Sequence, residues 1–176
     1  ETDGYIQHVD IGALNAAAEA AEDNAEVYVT AAPGAFVVAG DTLCRYSGDI
    51  DPEEIATAFT IDRTRNYDQD LRHGIIVLSE IAQRALSPAV NDPGTAIFIT
   101  DRITALLSGK GRKTEPGAPT CPRVHLAPVT SRDLLTDGLD PIARDGADKV
   151  EVQVRLQRGF ARLARHGDVA MAAAAH

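Results

Sequence analysis

Charged side chains able to do chemistry are concentrated in one segment, TIDRTRNYDQDLRHG. Within eight positions it supplies Arg63, Arg65, Asp68 and Asp70. Carboxylates beside arginines suit proton transfer or the binding of a phosphate- or carboxylate-bearing substrate, because a guanidinium pairs well with such anions. Structural ion pairs have the same composition, so this segment leaves both catalysis and architecture open.

A second polar segment, RALSPAVNDPGTA at residues 84–96, ends one predicted helix and begins another. Ser87 precedes a proline, which drives it out of the α region, and Asp92 can cap the next helix with proline at its first position. Asn91 suits the turn between them. The segment is therefore a helix corner by its local chemistry. The alternative is a site whose first-turn N–H groups receive an anion, although Asp92 opposes that charge.

Arginines also recur in the closing segment KVEVQVRLQRGFARLARHG. Apolar and polar residues alternate in its first half, as in a strand. Helical spacing accounts for more of its residues, because it gives an apolar stripe beside a basic one. The basic stripe consists of Arg155, Arg158, Arg162 and Arg165. It is either a solvated face or a surface that faces anionic lipid headgroups, each contact being worth about 1 kcal/mol.

Composition and missing motifs exclude several classes of function. The net charge of −9 excludes a general nucleic-acid binder, because phosphate binding needs a clustered basic surface. Cys44 and Cys121 form no metal-ligand pattern, and no HExxH, GxSxG, P-loop or GxGxxG motif occurs. We therefore predict no metal, no cofactor and no catalytic residue set.

The first 50 residues predict a small β-rich module that contains one helix. GYIQHV, EVYVTA, FVV and TLCRY read as strands, and Asp10 can cap an alanine-rich helix. The PGAFVVAGDTL turns are similar to those of barrel-sandwich modules, which include biotinyl and lipoyl carriers. Those carriers need a lysine on a hairpin, and the first lysine here is Lys110. A covalent carrier is thereby excluded.

The remaining sequence predicts a mostly helical bundle, so the fold class is α+β. Residues 51–108 are expected to form a helical hairpin, opened by PEEIATAFT and with a long helix from about Tyr67 to Leu86. Residues 109–122 read as a mobile loop. Residues 123–176 are expected to supply a strand returning to the N-terminal sheet, helices near 131–144 and 149–166, and a frayed end.

The order of these motifs resembles a known family. DGYIQHVD, APGAFVVAGDTL and DRTRNYDQDLRHGIIVLSEIAQRALSPAVNDPGTA resemble the soluble C-terminal part of predicted bacterial membrane proteins, the domain-of-unknown-function 2254 family. The residues that match its motifs and that we take as ligand-binding or structural are Arg63, Thr64, Gln69, Asp70, Arg84, Ser87, Asn91, Asp92 and Thr95. Ile61-Asp62 departs from the glycine and glutamate expected before Arg63.

The resemblance implies transmembrane helices upstream of Glu1 and places this domain on the cytoplasmic side of the bacterial inner membrane. It implies no reaction. We therefore predict an assembly or sensing domain that associates with itself, with those transmembrane helices and with anionic lipid. The alternatives are an enzyme that acts on an anionic small molecule through an Arg/Asp cluster of Arg63, Asp68, Asp70 and Asp92, and an accessory domain of a transporter or channel.

Overall fold

The computed structural model describes residues 3–21, 24–110, 118–167 and 169–175. In chain order its elements are β1 (Gly4–Val9), α1 (Ile11–Ala20), β2 (Val27–Val29), β3 (Phe36–Val37), β4 (Cys44–Tyr46), α2 (Pro52–Thr57), β5 (Phe59–Asp62), α3 (Leu71–Leu86), α4 (Pro93–Lys110), β6 (Val124–Leu126), α5 (Ser131–Gly138), α6 (Asp140–Asp145), α7 (Val150–His166) and α8 (Val169–Ala174). This is an α+β fold with early strands and later helices, as the sequence predicted.

The chain forms two compact units. The first consists of Glu1–His73 and Pro116–Pro128, and the second of Gly74–Glu115 and Val129–His176. Residues 51–73, which the sequence groups with the helical hairpin, thus lie with the strands of the first unit. Residues 111–117 of the expected loop lie outside the described part of the chain.

The first unit contains two small sheets over an apolar core. In one sheet β1 pairs antiparallel with β3 and β5, and in the other β2 pairs antiparallel with β4 and parallel with β6. Ile6, Val27 and Val37 are buried in this core. Asp10 caps α1 as predicted, since the Ala13 N–H donates to its carboxylate at 2.8 Å. The predicted return strand is confirmed, with β6 beside β2.

The sequence interpretation missed β5. It continued the helix of PEEIATAFT through Phe59, whereas α2 ends at Thr57 and Phe59 pairs with Val9 of β1. Phe59 is buried, and the β-branched residues that follow it fit a pleated surface. Burial against β1 therefore overrides the local helical signal.

The helical boundaries also differ from those predicted. α3 begins at Leu71 rather than near Tyr67, and the expected helix 131–144 is two helices that meet at Leu139. The closing segment is helical over Val150–His166, so the helix is confirmed and its strand alternative is wrong. The expected frayed end contains α8. Among the described residues, no helix has the length and apolarity needed to cross a membrane.

The second unit is held together by α4 and α7. Ile103 and Leu107 of α4 and Leu156 of α7 lie in its buried core. The two helices approach closely at Gly159, where an added Cβ would lie 2.8 Å from the Thr104 hydroxyl oxygen. Only a residue without a side chain fits this contact without displacement.

We expect Gly159→Ala to destabilise the protein. Overpacking against buried Thr104 costs about 1–3 kcal/mol, whereas alanine gains only about 1 kcal/mol of helix propensity. The matched control is Gly74→Ala in α3, where the added Cβ meets nothing within 4 Å. Chemical denaturation should show a lower free energy of unfolding for Gly159→Ala and a gain of about 0.5–1 kcal/mol for Gly74→Ala. Equal gains for both variants would contradict the close helix contact.

Candidate functional site

The arginines of α7 lie beside its buried stripe. Val152, Leu156 and Leu163 are buried against the second unit's core. Because a helix turns by 3.6 residues, the four arginines at spacings of three and four fall on one neighbouring face. Packing of this face beside α4 makes a surface depression, which we call the arginine groove.

The arginine groove has a volume of about 360 Å³. Its lining residues are Asp101, Thr104, Arg155, Arg158, Gly159, Arg162, Arg165 and His166. It thus brings together all four arginines of the predicted basic stripe, with one carboxylate facing them. The groove is strongly cationic in a chain whose net charge is −9.

The four guanidiniums differ in their partners. Arg155 pairs with Asp101 across α7 and α4, with a nitrogen–oxygen distance of 3.2 Å. Arg165 donates through Nε to the carbonyl of Ala161 at 3.1 Å. Arg158 and Arg162 are exposed, and no hydrogen bond or ion pair joins either side chain to another residue of the described ranges. Their donors are available to an incoming anion.

The groove offers hydrogen-bond donors to an anion. Guanidiniums offer planar, permanently charged donors that match phosphate and carboxylate oxygens in pairs. Asp101 is engaged by Arg155, and the Thr104 hydroxyl donates to the Thr100 carbonyl at 2.8 Å. No nucleophile–base pair lies among the lining residues. Within the described ranges no group of three His, Cys, Asp or Glu side chains is arranged to hold a metal ion.

The motif residues of the first unit fasten the segment after β5 onto β1. The Gln7 amide donates to the Thr64 carbonyl at 2.7 Å. The Gln69 amide both accepts from the Val9 N–H at 2.9 Å and donates to the Val9 carbonyl at 3.2 Å. Gln69 therefore satisfies the strand's backbone as a neighbouring strand would, which is an architectural role.

Asp70 is the buried polar centre of this segment. Arg65 contacts one carboxylate oxygen through two nitrogens, at 2.6 and 2.7 Å. The other oxygen accepts from the His73 N–H at 3.0 Å, so Asp70 caps α3 and explains its start at Leu71. Gly34, with φ +88°, lies against the carboxylate, and a Cβ there would be 2.5 Å from Asp70 Cγ.

The remaining members of the charged segment do not converge on Asp70. Arg63 and Asp68 are exposed, and the Arg63 backbone N–H donates to Asp62 at 2.6 Å. The Asp70 carboxylate is occupied by an ion pair and a helix cap. Asp92, the other carboxylate of the enzyme hypothesis, belongs to the second unit.

The corner between α3 and α4 is closed by its own hydrogen bonds. The Ser87 hydroxyl donates to the carbonyl of Arg84 at 2.7 Å, while the Arg84 side chain is exposed. Asn91 has φ +49°, and its N–H donates to the Ser87 carbonyl at 2.8 Å. Asp92 accepts from the Thr95 N–H at 3.1 Å and from the Thr95 hydroxyl at 2.6 Å. These are the contacts of a helix junction.

The hydrogen bonds of this cap change the pKa of Asp92. The Thr95 hydroxyl, followed by the backbone N–H groups of Thr95 and Gly94, holds the pKa of the Asp92 carboxyl below its ordinary value. A lowered pKa in the folded state stabilises the fold at neutral pH, and that contribution is lost as the pH falls through the lowered value.

Two groups of contact residues were not identified from the sequence. Arg65 was noted in the charged segment but not assigned as the partner of Asp70, and Gly34 was assigned only to a turn. Asp101 and His166 join the arginine groove through the packing of α4 on α7. The five-residue spacing of Arg65 and Asp70 is a detectable signal, whereas the pairing of Asp101 with Arg155 depends on tertiary structure.

We expect Asp70→Ala to lower the free energy of unfolding by about 1–3 kcal/mol, because it strands Arg65 and removes the cap of α3. The matched control is Asp68→Ala, since the Asp68 side chain is exposed. It should stay within about 0.5 kcal/mol of the parent. Thermal melts in which both variants match the parent would contradict the buried role of Asp70.

Substitutions of Asn91 test the backbone conformation of the corner between α3 and α4. The Asn91 side chain is exposed, and the constraint at this position is its left-handed φ. Asn91→Ala should cost about 1 kcal/mol of stability, because alanine tolerates this region poorly. Asn91→Gly should remain within about 0.5 kcal/mol. If denaturation gives both variants the same loss, the side chain rather than the backbone governs the corner.

Comparisons with known proteins bear out the family resemblance. The family model described as "Predicted membrane protein (DUF2254)" matches residues 1–162. Uncharacterized proteins of Mycobacterium tuberculosis and Mycobacterium bovis are each 35% identical to this chain over 60% of its length. The chain spans 22% of the length of these curated relatives. No solved structure matches it. The chain belongs to the predicted membrane protein family of domain of unknown function 2254.

Proposed function

We propose that this chain is a sensing domain of a bacterial membrane protein, and that the arginine groove is where it binds an anionic ligand. Family membership supports the membrane context. One observation carries the choice of site: Arg158 and Arg162 lie exposed in a groove without a counter-ion among the described residues. In this proposal the domain lies on the cytoplasmic side of the inner membrane.

The charge distribution supports ligand binding over a merely solvated face. Acidic residues outnumber basic ones by 26 to 17, yet four arginines share one groove with a single carboxylate. Like charges one helical turn apart destabilise a helix by about 0.2–0.5 kcal/mol per pair, and Arg158 and Arg162 form such a pair. A bound anion removes this repulsion and gains charge-assisted hydrogen bonds. Binding is therefore coupled to the stability of α7.

The acidic groups already have hydrogen-bond or ion-pair partners, and this favours sensing over catalysis. Asp70 caps α3 and pairs with Arg65, and Asp92 caps α4. Asp101 is held by Arg155. An enzyme that acts through an Arg/Asp cluster would need a carboxylate placed to exchange protons with a substrate, whereas these three already stabilise the fold or the groove. No observation favours an accessory domain of a transporter or channel.

The proposed partners follow from the same surface and from the family. Phosphate or carboxylate groups are the ligand chemistry, supplied by a soluble compound or by anionic lipid. Exposed apolar side chains on α4 and α7, including Phe98, Leu106 and Val154, support self-association or contact with the transmembrane helices of a longer protein. Both contacts are part of the proposal.

Inorganic phosphate tests the proposal directly. At a phosphate concentration of about 100 times Kd, binding stabilises the fold by about 2.7 kcal/mol, which corresponds to a rise in Tm of about 5–10 °C. Chloride at the same ionic strength provides the reference. We expect this rise for the parent and its loss in the double variant Arg158→Gln/Arg162→Gln.

The matched control is Arg45→Gln/Arg63→Gln, which removes the same charge from exposed arginines of the first unit. It should keep the full response to phosphate. If phosphate raises the Tm of the parent, the groove variant and the control equally, it acts by general screening, and the proposal would fail.

A further inference from the structure

The row of cationic groups in the arginine groove is too long for one phosphate to contact all of its members. Arg155 and His166 are eleven residues apart on α7, which at 1.5 Å per residue is about 16 Å. Guanidinium nitrogens bind phosphate oxygens at about 2.7–2.9 Å. A single phosphate can therefore bridge neighbouring arginines one turn apart, about 5.4 Å, but cannot reach both ends of the row.

The volume of the groove leads to the same conclusion. Its 360 Å³ lies in the range of about 300–1,000 Å³ that is typical of small-molecule sites. One phosphate ion, with five non-hydrogen atoms, is smaller than the ligands that sites of this size usually hold. A longer anion fills more of the groove.

The two ends of the groove differ in charge. Asp101 neutralises Arg155 at one end, whereas Arg158, Arg162 and Arg165 have no carboxylate partner among the described residues. The Asp101–Arg155 pair therefore leaves its own end of the groove without net charge, and the three later arginines form the anion-binding part. Gly159 and Thr104 also line this space between the helices. A concave lining of this kind encloses a small ligand better than it meets a flat bilayer surface.

We infer that the arginine groove binds a soluble diphosphate, in which two linked phosphate groups contact Arg158, Arg162 and Arg165 together. This inference rests on the anion-binding function proposed above and names its ligand class. Phosphate groups of lipid headgroups share the chemistry, but the groove's length, volume and concavity favour the soluble source. Asp101 sets the affinity by holding Arg155 away from the ligand.

Titration calorimetry of the 176-residue chain with pyrophosphate and with orthophosphate, at fixed ionic strength and neutral pH, tests this inference. Pyrophosphate should bind at least about tenfold more tightly, because it makes a second set of charge-assisted hydrogen bonds. Arg158→Gln/Arg162→Gln should abolish this preference. Asp101→Asn should strengthen pyrophosphate binding, since it releases Arg155; a purely structural role of Asp101 would not do so.

A second experiment uses vesicles of phosphatidylglycerol. We expect pyrophosphate to bind the chain whether or not vesicles are present, and to displace any vesicle-bound protein. Vesicle binding that pyrophosphate does not displace, with no binding of free pyrophosphate, would assign the arginines to lipid and overturn the diphosphate site. Equal affinities for orthophosphate and pyrophosphate would overturn the diphosphate preference alone. Binding of neither anion would overturn the proposed function as well.

Discussion

The close contact between α4 and α7 at Gly159 is the constraint on which the arginine groove depends. A side chain at this position would push Thr104 away, so glycine permits the close approach of the two helices. The polar groups at the contact remain satisfied, because Thr100, Thr104 and Ser108 each donate to the carbonyl four residues earlier. With the two helices this close, Arg155 reaches Asp101 and the later arginines share one depression.

The residues that carry the family resemblance and those of the groove have different roles. Gln69 and Asp70 bind backbone groups, a helix end and Arg65, which are contacts that hold the first unit together. In the groove, Arg158 and Arg162 instead have exposed donors. The groove arginines lie toward the end of the matched range, with Arg165 beyond it. The motif residues Gln69 and Asp70 therefore hold a strand and a helix start in place, and the arginines that line the groove are not among the motif residues.

Local patterns predicted much of this fold, and long-range packing accounts for the rest. Alternation in β1, the Asp10 cap and the amphipathic spacing of α7 are properties of neighbouring residues, and each is confirmed. β5 was missed because only burial of Phe59 against β1 distinguishes it from a continued helix. The basic stripe was visible from spacing, but its partner Asp101 lies 54 positions earlier in the chain, and nothing local indicates that pairing.

The parallel pairing of β6 with β2 sets an order of events during synthesis. Val27 pairs with Val124, 97 positions later, so the second sheet of the first unit stays incomplete until α3 and α4 have been made. Until then β2 exposes an open edge, which is a template for wrong pairing. Contacts this distant in sequence also slow folding, because a long loop must close before they form. A nascent chain released before residue 126 would therefore be prone to aggregate through the open edge of β2, which makes β6 the strand that completes the first unit.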